Sequence, residues 1–164
     1  MQEFERVYRR TLGFIYDAEK QLVASLRPVG SRVDDRRLKD ALREIETQSA
    51  RQEKRIENIF RVLYLEPVGE ASWATTALLR EAWETSTRGD GAQGCAAALL
   101  AIKRYEITLY EALLRWSEQC HLVEVLADIR RSIAEELVQA SVLSELAFED
   151  LTADGCKLTV TERN

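Results

Sequence analysis

Three glutamates stand at positions where a helix would bury them. Glu19, Glu106 and Glu136 each fall within a run of apolar residues spaced three or four apart. On a helix this spacing places them in the apolar seam that faces the core. A buried carboxylate must be protonated, ion-paired or bound to a metal. Carboxylates projecting into a bundle core from facing helices are typical ligands of a dinuclear iron or manganese site, so the three residues are candidate metal ligands.

The second long segment of the chain should complete such a site with a carboxylate and a histidine. Its seam instead carries Ser49 and Gln52, with Gln48 beside it. Lys103 lies one turn before Glu106, so its ammonium can supply the counter-charge in a buried ion pair where a metal would sit. Without imidazole, the remaining oxygen donors suit Mg²⁺, Mn²⁺ or Ca²⁺ better than iron.

Three further polar residues lie near the seam or at its ends. Tyr16 and Tyr105 are close to the glutamates in sequence, so each is either a hydrogen-bond donor to them or an ordinary packing residue, and we favour packing. His121 is the only histidine and lies off the seam at a helix boundary. We interpret it as a cap or surface residue rather than a ligand.

The elements that must hold these residues are long helices. The chain of 164 residues has two prolines and seven glycines, and its long uninterrupted stretches are rich in strong helix formers. Apolar spacing predicts long helices over about 3–26, 34–65, 92–119 and from after residue 121 to about 149, with a shorter one over 71–87. Pro28 and Pro67, each with a glycine two residues later, are expected to end the first two helices. Residues 88–91 are predicted to form a loop.

Four long helices with one apolar seam each predict an all-α fold, an antiparallel four-helix bundle. Short loops join the first two and the last two long helices into hairpins, and the short helix lies in the crossover between them. That is the wiring of ferritin-like bundles. We expect residues 1–150 to form the bundle and 151–164 to be a loose or surface-docked tail. Trp73 and Trp83 of the short helix are expected to cover one end of the bundle or to contact a second copy.

Composition excludes several classes of protein. A formal net charge of −5 argues against a general nucleic-acid binder. No apolar run is long enough to cross a membrane, and the first residues do not resemble a signal peptide, so we expect a cytoplasmic protein. Cys95, Cys120 and Cys156 have neither the spacing of a zinc site nor an even number. We interpret them as two helix-packing thiols and one thiol in the tail.

The sequence resembles the YciF/YciE family of stress-associated ferritin-like proteins over roughly residues 8–150. The resemblance is carried by short motifs that match in order and spacing: 15–22 (IYDAEKQL), 55–60 (RIENIF), 65–67 (LEP), 104–110 (RYEIxxY, where x is any residue) and 135–136 (EE). It implies a ferritin-like domain, commonly a homodimer, with a dinuclear iron or manganese site and no established reaction. Carried over by position, the resemblance makes Glu19, Glu106 and Glu136 the metal-facing glutamates.

The chain departs from this family at the other metal-facing positions. Ile45 stands where the family commonly has histidine, and Gln48 and Ala140 replace acidic residues. Lys103 and Arg104 stand where the family tends to have glutamate and histidine. The departures predict a degenerate, vestigial metal site.

Two hypotheses of function from different classes follow. The first is a ferritin-like homodimer of stress-response type without a working dinuclear centre. The second is a metal-dependent oxidoreductase or peroxide-scavenging protein that uses the three seam glutamates. A weaker third is a partner-binding adaptor that uses Trp73 and Trp83.

Overall fold

The computed structural model describes residues 2–88 and 91–148. Within these residues the chain forms five α-helices and no strand, so the predicted all-α class is confirmed. The helices are α1 Gln2–Gly30, α2 Arg36–Val62, α3 Trp73–Arg88, α4 Gly91–Gln119 and α5 Val123–Ala147. No helix in the described ranges is long and apolar enough to span a membrane.

Local signals explain where α2 and α4 begin or end. The side chain of Asp35 accepts a hydrogen bond from the Leu38 amide at 2.8 Å, which caps the start of α2 as predicted. The helix ends at Val62, three residues earlier than expected, because Leu63 and Tyr64 turn the chain and Tyr64 has a φ of 55°. His121 has a φ of 57° and lies exposed in the turn between α4 and α5.

The prediction that Pro28 ends the first helix was wrong. α1 continues through Pro28 to Gly30, and the Ser31 amide still donates to the Arg27 carbonyl at 3.1 Å. A proline so close to the end removes only one amide donor. Val29 is buried in the core at 1% exposure, so packing of the last turn stabilises it.

Hydrogen bonds between helices show that all neighbouring long helices are antiparallel. Along α1 and α4, Tyr8 pairs with Ser117 and Glu19 with Tyr110, at 2.8 Å and 3.0 Å. Along α2 and α5 the paired positions also run in opposite directions: 48 with 139, 55 with 132 and 58 with 128. α1 and α2 form one hairpin and α4 and α5 the other, as predicted.

To connect the two hairpins, the chain must cross the length of the bundle between the end of α2 and the start of α4. Residues 63–72, here called the strap, lie across α1, where the Glu70 amide donates to the Gly13 carbonyl at 3.1 Å. The Ser72 amide donates to Asp17 Oδ2 at 3.0 Å. α3 then packs against α1 and α4. It begins at Trp73, two residues later than predicted, because Ser72 Oγ accepts from the Thr75 amide at 3.3 Å and so caps the helix at that point.

The two tryptophans of α3 differ in their surroundings. Trp83 packs against the core, and the Arg32 guanidinium lies 4.2 Å from the centre of its ring. Trp73 is 82% exposed, so it does not cover the end of the bundle, and contact with a second copy stays a prediction for this residue. Its place in the first turn of α3 points it away from the other helices.

The core consists of two apolar clusters. One contains Leu22, Leu26 and Leu143, and the other contains Leu12, Ile15 and Leu113. Cys95 is buried in the first, whereas Cys120 is exposed at the end of α4, which corrects its interpretation as a packing thiol. Cys156, the predicted tail at 151–164 and residues 89–90 of the predicted loop lie outside the described residues.

Candidate functional site

The three seam glutamates meet between the two apolar clusters. Glu19 comes from α1, Glu106 from α4 and Glu136 from α5, and each has 0% exposure. From α2, the polar residues Gln48, Ser49 and Gln52 are buried at the same level. The helical spacing of each sequence segment therefore located the layer correctly. We call these six residues, with Lys103 and Tyr110, the buried polar layer.

Lys103 lies at the centre of this layer. Its Nζ donates to Glu106 Oε2 at 2.9 Å and to Glu136 Oε1 at 3.1 Å. The lysine is 2% exposed, so the ion pairs are almost fully removed from water. The pair with Glu106 lies within one turn of α4, and the pair with Glu136 joins α4 to α5. A fixed ammonium thus supplies positive charge where the three carboxylates converge.

Burial and the Lys103 ammonium act in opposite directions on the carboxyl groups of the layer. Burial opposes the charge on Lys103, but Glu106, Glu136 and Glu19 outweigh it, and the pKa of Lys103 is raised. Burial raises the pKa of Glu19 to about 8, although Lys103 acts to lower it and Glu136 raises it further. Burial also raises the pKa of Glu106 well above its usual range, against the effect of Lys103. Burial therefore favours the protonated form of Glu19.

Tyr110 is the tyrosine that contacts a seam glutamate. Its hydroxyl donates to Glu19 Oε1 at 3.0 Å, and the residue is fully buried. Burial and the nearby carboxylates raise the pKa of Tyr110 well above its usual range, so it stays a neutral donor. This role was not predicted from the sequence, although Tyr110 lies four residues after Glu106 and so on the same face of α4.

The tyrosines singled out from the sequence do not take part in the layer's hydrogen bonds. Tyr16 is buried, but its hydroxyl donates to Glu57 on α2 at 2.9 Å. Tyr105 is half-buried on α4, and its packing role stays a prediction. Tyr16 combines packing against Phe60 with a bond to a glutamate outside the seam.

A second polar network joins α2 to α5 at the edge of the layer. Arg55 donates to Glu135 through both of its terminal nitrogens, at 3.0 Å and 3.1 Å, and to Ser132 Oγ at 2.7 Å. Gln139 Nε2 donates to Gln48 Oε1 at 2.8 Å. Arg55, Ser132 and Gln139 were not predicted. Their partners lie on another helix, and helical spacing within one segment carries no signal for them.

Six buried polar atoms of the layer have no protein hydrogen-bonding partner among the described residues. They are Glu19 Oε2, Gln48 Nε2, Ser49 Oγ, Gln52 Oε1, Glu106 Oε1 and Glu136 Oε2. Each seam glutamate therefore has one satisfied and one unsatisfied oxygen. Buried groups of this kind are usually satisfied by internal water or by an ion, since leaving them unpaired costs about 1–3 kcal/mol each.

The arrangement does not fit a dinuclear metal site. The free oxygens would suit a cation, but Lys103 Nζ already occupies the contact positions between Glu106 and Glu136. α2 contributes amides and a hydroxyl in place of a carboxylate and an imidazole. Among residues 2–88 and 91–148, no group of three or more His, Cys, Asp or Glu side chains is arranged to hold a metal ion.

The fold and the site together define an all-α, ferritin-like four-helix bundle with a buried carboxylate layer. The family model described as a domain of unknown function, DUF892, matches residues 3–155. The chain belongs to this family. A search of curated proteins finds no significant match.

Two solved structures have the same fold. The stress protein YciF of Escherichia coli is 24% identical, with a TM-score of 0.83 over 90% of this chain and 96% of YciF. YcfI of Rhodopseudomonas palustris is 25% identical, with a TM-score of 0.79 over 86% of this chain and 92% of YcfI. The resemblance to the YciF-like family seen in the sequence is thus confirmed, and so is the helical fold that it implied.

Proposed function

We propose that this chain is a stress-associated, YciF-type protein in which a lysine replaces the cations of an ancestral dinuclear centre. On this proposal it acts as a binding or structural protein and not as a metal-dependent enzyme. The observation that carries the proposal is the position of Lys103 Nζ, within 3.1 Å of both Glu106 and Glu136. An ammonium held there repels an incoming cation and engages the oxygens that would bind it.

The remaining donors support the same conclusion. Glu19 is a weak metal ligand while it is protonated, and Tyr110 already donates to one of its oxygens. Gln48 Oε1 accepts from Gln139, which leaves Gln52 Oε1 and Ser49 Oγ as the free oxygens of α2. Neutral oxygens without imidazole bind iron weakly.

Elemental analysis tests this proposal. The full chain is expressed in medium supplemented with iron and manganese, and its metal content is compared with that of Glu106→Gln and of Glu111→Gln. Glu111 is an exposed glutamate of the same helix and provides the matched control. We expect the same background metal content in all three proteins. The proposal is wrong if the parent holds about two ions per chain that Glu106→Gln loses and Glu111→Gln keeps.

A metal-dependent oxidoreductase or peroxide-scavenging protein is the second candidate. One observation favours it, namely the free oxygen on each of the three seam glutamates. It requires that Lys103 leave its position between Glu106 and Glu136 when iron or manganese binds. Peroxide consumption by the metal-treated parent, absent in Glu106→Gln and retained in Glu111→Gln, would support this candidate over the first.

The proposed stress association rests on the description of YciF as a stress protein. A cytoplasmic location is part of the proposal, because Cys95 and Cys120 are both free thiols, as expected in a reducing compartment. Quantifying the protein in its native host before and after osmotic and oxidative challenge tests the association. We expect abundance to rise, and unchanged abundance under both challenges would contradict it.

A further inference from the structure

A groove runs between the C-terminal part of α1 and the N-terminal half of α2. Its volume of about 680 Å³ lies within the range of about 300–1,000 Å³ that is usual for small-molecule sites. Three of its lining residues have small side chains, namely Gly30, Ser31 and Ala50. A Cβ added at Gly30 would already lie 3.4 Å from Leu42 Cδ1, so larger residues would fill the space. We call this space, from Val23 to Ser31 on α1 and the residue after it and from 39 to 50 on α2, the α1–α2 groove.

The two ends of the groove differ in chemical character. Because α1 and α2 are antiparallel, Val23 and Ala50 lie together towards the middle of the bundle, and the buried Leu26 is next to them. Lys39 and Arg43 lie one turn apart on the same face of α2, at the end of the groove near the loop between the two helices. The groove is thus apolar at its inner end and cationic at its outer end.

Positive charge exceeds negative charge along the groove. Three cationic side chains line it, those of Arg27, Lys39 and Arg43. Glu46 is the one acidic residue among the described lining residues, and it already accepts from Arg27 Nη2 at 3.0 Å. Arg43 pairs with Asp40, but its side chain stays 76% exposed. Lys39 is half-buried and forms no ion pair within residues 2–88 and 91–148, and a partly desolvated ammonium favours an anion beside it.

A second groove, of about 560 Å³, shows that this surplus of positive charge is local. It lies between α1 and the strap, and its lining contains three arginines and three glutamates, so that its charges balance; they are Arg6, Arg9, Arg10, Glu5, Glu66 and Glu70. The whole chain carries a formal net charge of −5. The cationic end of the α1–α2 groove is therefore a distinct feature of an acidic protein.

We propose that the α1–α2 groove binds a carboxylate on an unbranched alkyl chain, that is, a fatty acid. Lys39 and Arg43 hold the carboxylate, and the alkyl chain lies along Leu26 towards Val23 and Ala50. From Lys39 to Ala50, α2 rises by about 16 Å, which is enough for the extended chain of decanoate. None of the described lining residues is aromatic, so a nucleotide base would find no ring on which to stack. The proposal is independent of the buried polar layer and of whether that layer binds metal.

Isothermal titration calorimetry of the full chain gives the first test. Decanoate, used below its micelle concentration, should bind with one molecule per chain. 1-Decanol has the same alkyl chain without the charge and should bind at least about tenfold more weakly. Inorganic phosphate has charge without an alkyl chain and should also bind at least about tenfold more weakly. Binding of either control compound as tightly as decanoate would contradict the proposal, because only one end of the groove would then be used.

Substitutions at the two ends test the geometry. Lys39→Met removes the ammonium but keeps an aliphatic side chain, and it should raise the Kd for decanoate at least about tenfold. Lys54→Met, at an exposed lysine of α2 outside the groove, should leave the Kd unchanged. Ala50→Leu fills the apolar end and should also raise the Kd at least about tenfold. Ala77→Leu, at an exposed alanine of α3, is its matched control and should leave the Kd unchanged.

An anionic membrane surface is the other source of a charged group on an alkyl chain. Co-sedimentation with phosphatidylglycerol vesicles distinguishes it, and we expect the chain to remain in the supernatant. Vesicle association that Lys39→Met abolishes would assign the groove to a membrane surface and overturn the proposal. Circular dichroism confirms that each variant remains folded. A parent that does not bind decanoate, or a folded Lys39→Met or Ala50→Leu protein that binds it as tightly as the parent, also overturns the proposal.

Discussion

The Nζ atom of Lys103 on α4 lies 3.1 Å from Oε1 of Glu136 on α5, and both side chains are buried. The same nitrogen bonds Glu106 one turn along its own helix. The ion pair therefore joins α4 to α5, the two helices of the second hairpin, in the interior of the bundle. Lys103, Glu106 and Glu136 can each be substituted separately, so the contribution of each side chain to stability can be measured.

Lys103→Met should destabilise the protein by about 3–5 kcal/mol, because it leaves two carboxylates buried without their counter-charge. Urea unfolding followed by circular dichroism measures the change. Lys54→Met, at an exposed lysine of α2, should change the free energy of unfolding by no more than about 0.5 kcal/mol. The double variant Lys103→Met/Glu136→Gln should cost less than the sum of its single variants. Additive losses would mean that the two residues do not interact.

Glu19 should make the protein less stable as the pH rises. Its pKa is raised from 4.5 to about 8 on folding, so the folded state binds a proton that the unfolded state releases within this window. The free energy of unfolding should fall between pH 4.5 and about pH 8 through this residue. Glu19→Gln should be flatter over that range, whereas the exposed Glu44→Gln should follow the parent. Parallel pH curves for Glu19→Gln and the parent would refute the assignment.

Gly13→Ala should destabilise the protein, although alanine normally favours a helix. An added Cβ would lie 2.9 Å from Glu70 Cγ and 3.0 Å from the Val68 carbonyl oxygen, so the strap must shift. We expect a loss of about 1–3 kcal/mol and faster proteolysis within residues 63–72. The Cβ of Gly30→Ala would meet only the Leu42 side chain, with Cδ1 at 3.4 Å and Cβ at 4.0 Å, so this substitution should be nearly neutral. Equal stability of the two variants would show that the strap does not need the close approach at Gly13.

Arg55→Met should cost about 2 kcal/mol, since it removes charge-assisted bonds to Glu135 and a bond to Ser132. Burial acts to raise the pKa of Glu135, but Arg55 and Arg131 outweigh it and the pKa is lowered. The stability contributed by the ion pair between Arg55 and Glu135 is present above the unfolded pKa of 4.5 and is lost as the pH falls. The destabilisation by Arg55→Met should therefore be smaller at acidic pH. The exposed Arg51→Met provides the control, and a loss that does not vary with pH would contradict the ion pair.

The sequence by itself determined the helices, the bundle and the burial of Glu19, Glu106 and Glu136. These follow from apolar spacing within single segments, which depends on the 3.6-residue period of a helix and on no distant residue. The proximity of Lys103 to Glu106 could also be predicted from the sequence, because the two residues are one helical turn apart. Ile45 and Gln48, which stand on α2 in place of metal ligands, could also be identified from the sequence.

Only the tertiary structure decided which partner each buried group has. Lys103 reaches Glu136, Tyr110 reaches Glu19 and Arg55 reaches Glu135 because of how the helices are rotated and aligned against one another. The period of one helix does not set its rotation relative to another. Packing also overrode a local signal at Pro28, where burial of Val29 keeps α1 helical. The seam glutamates were thus predictable as buried and Lys103 as a counter-charge, whereas the bond from Lys103 to Glu136 and the bond from Tyr110 to Glu19 were decided by the assembled bundle.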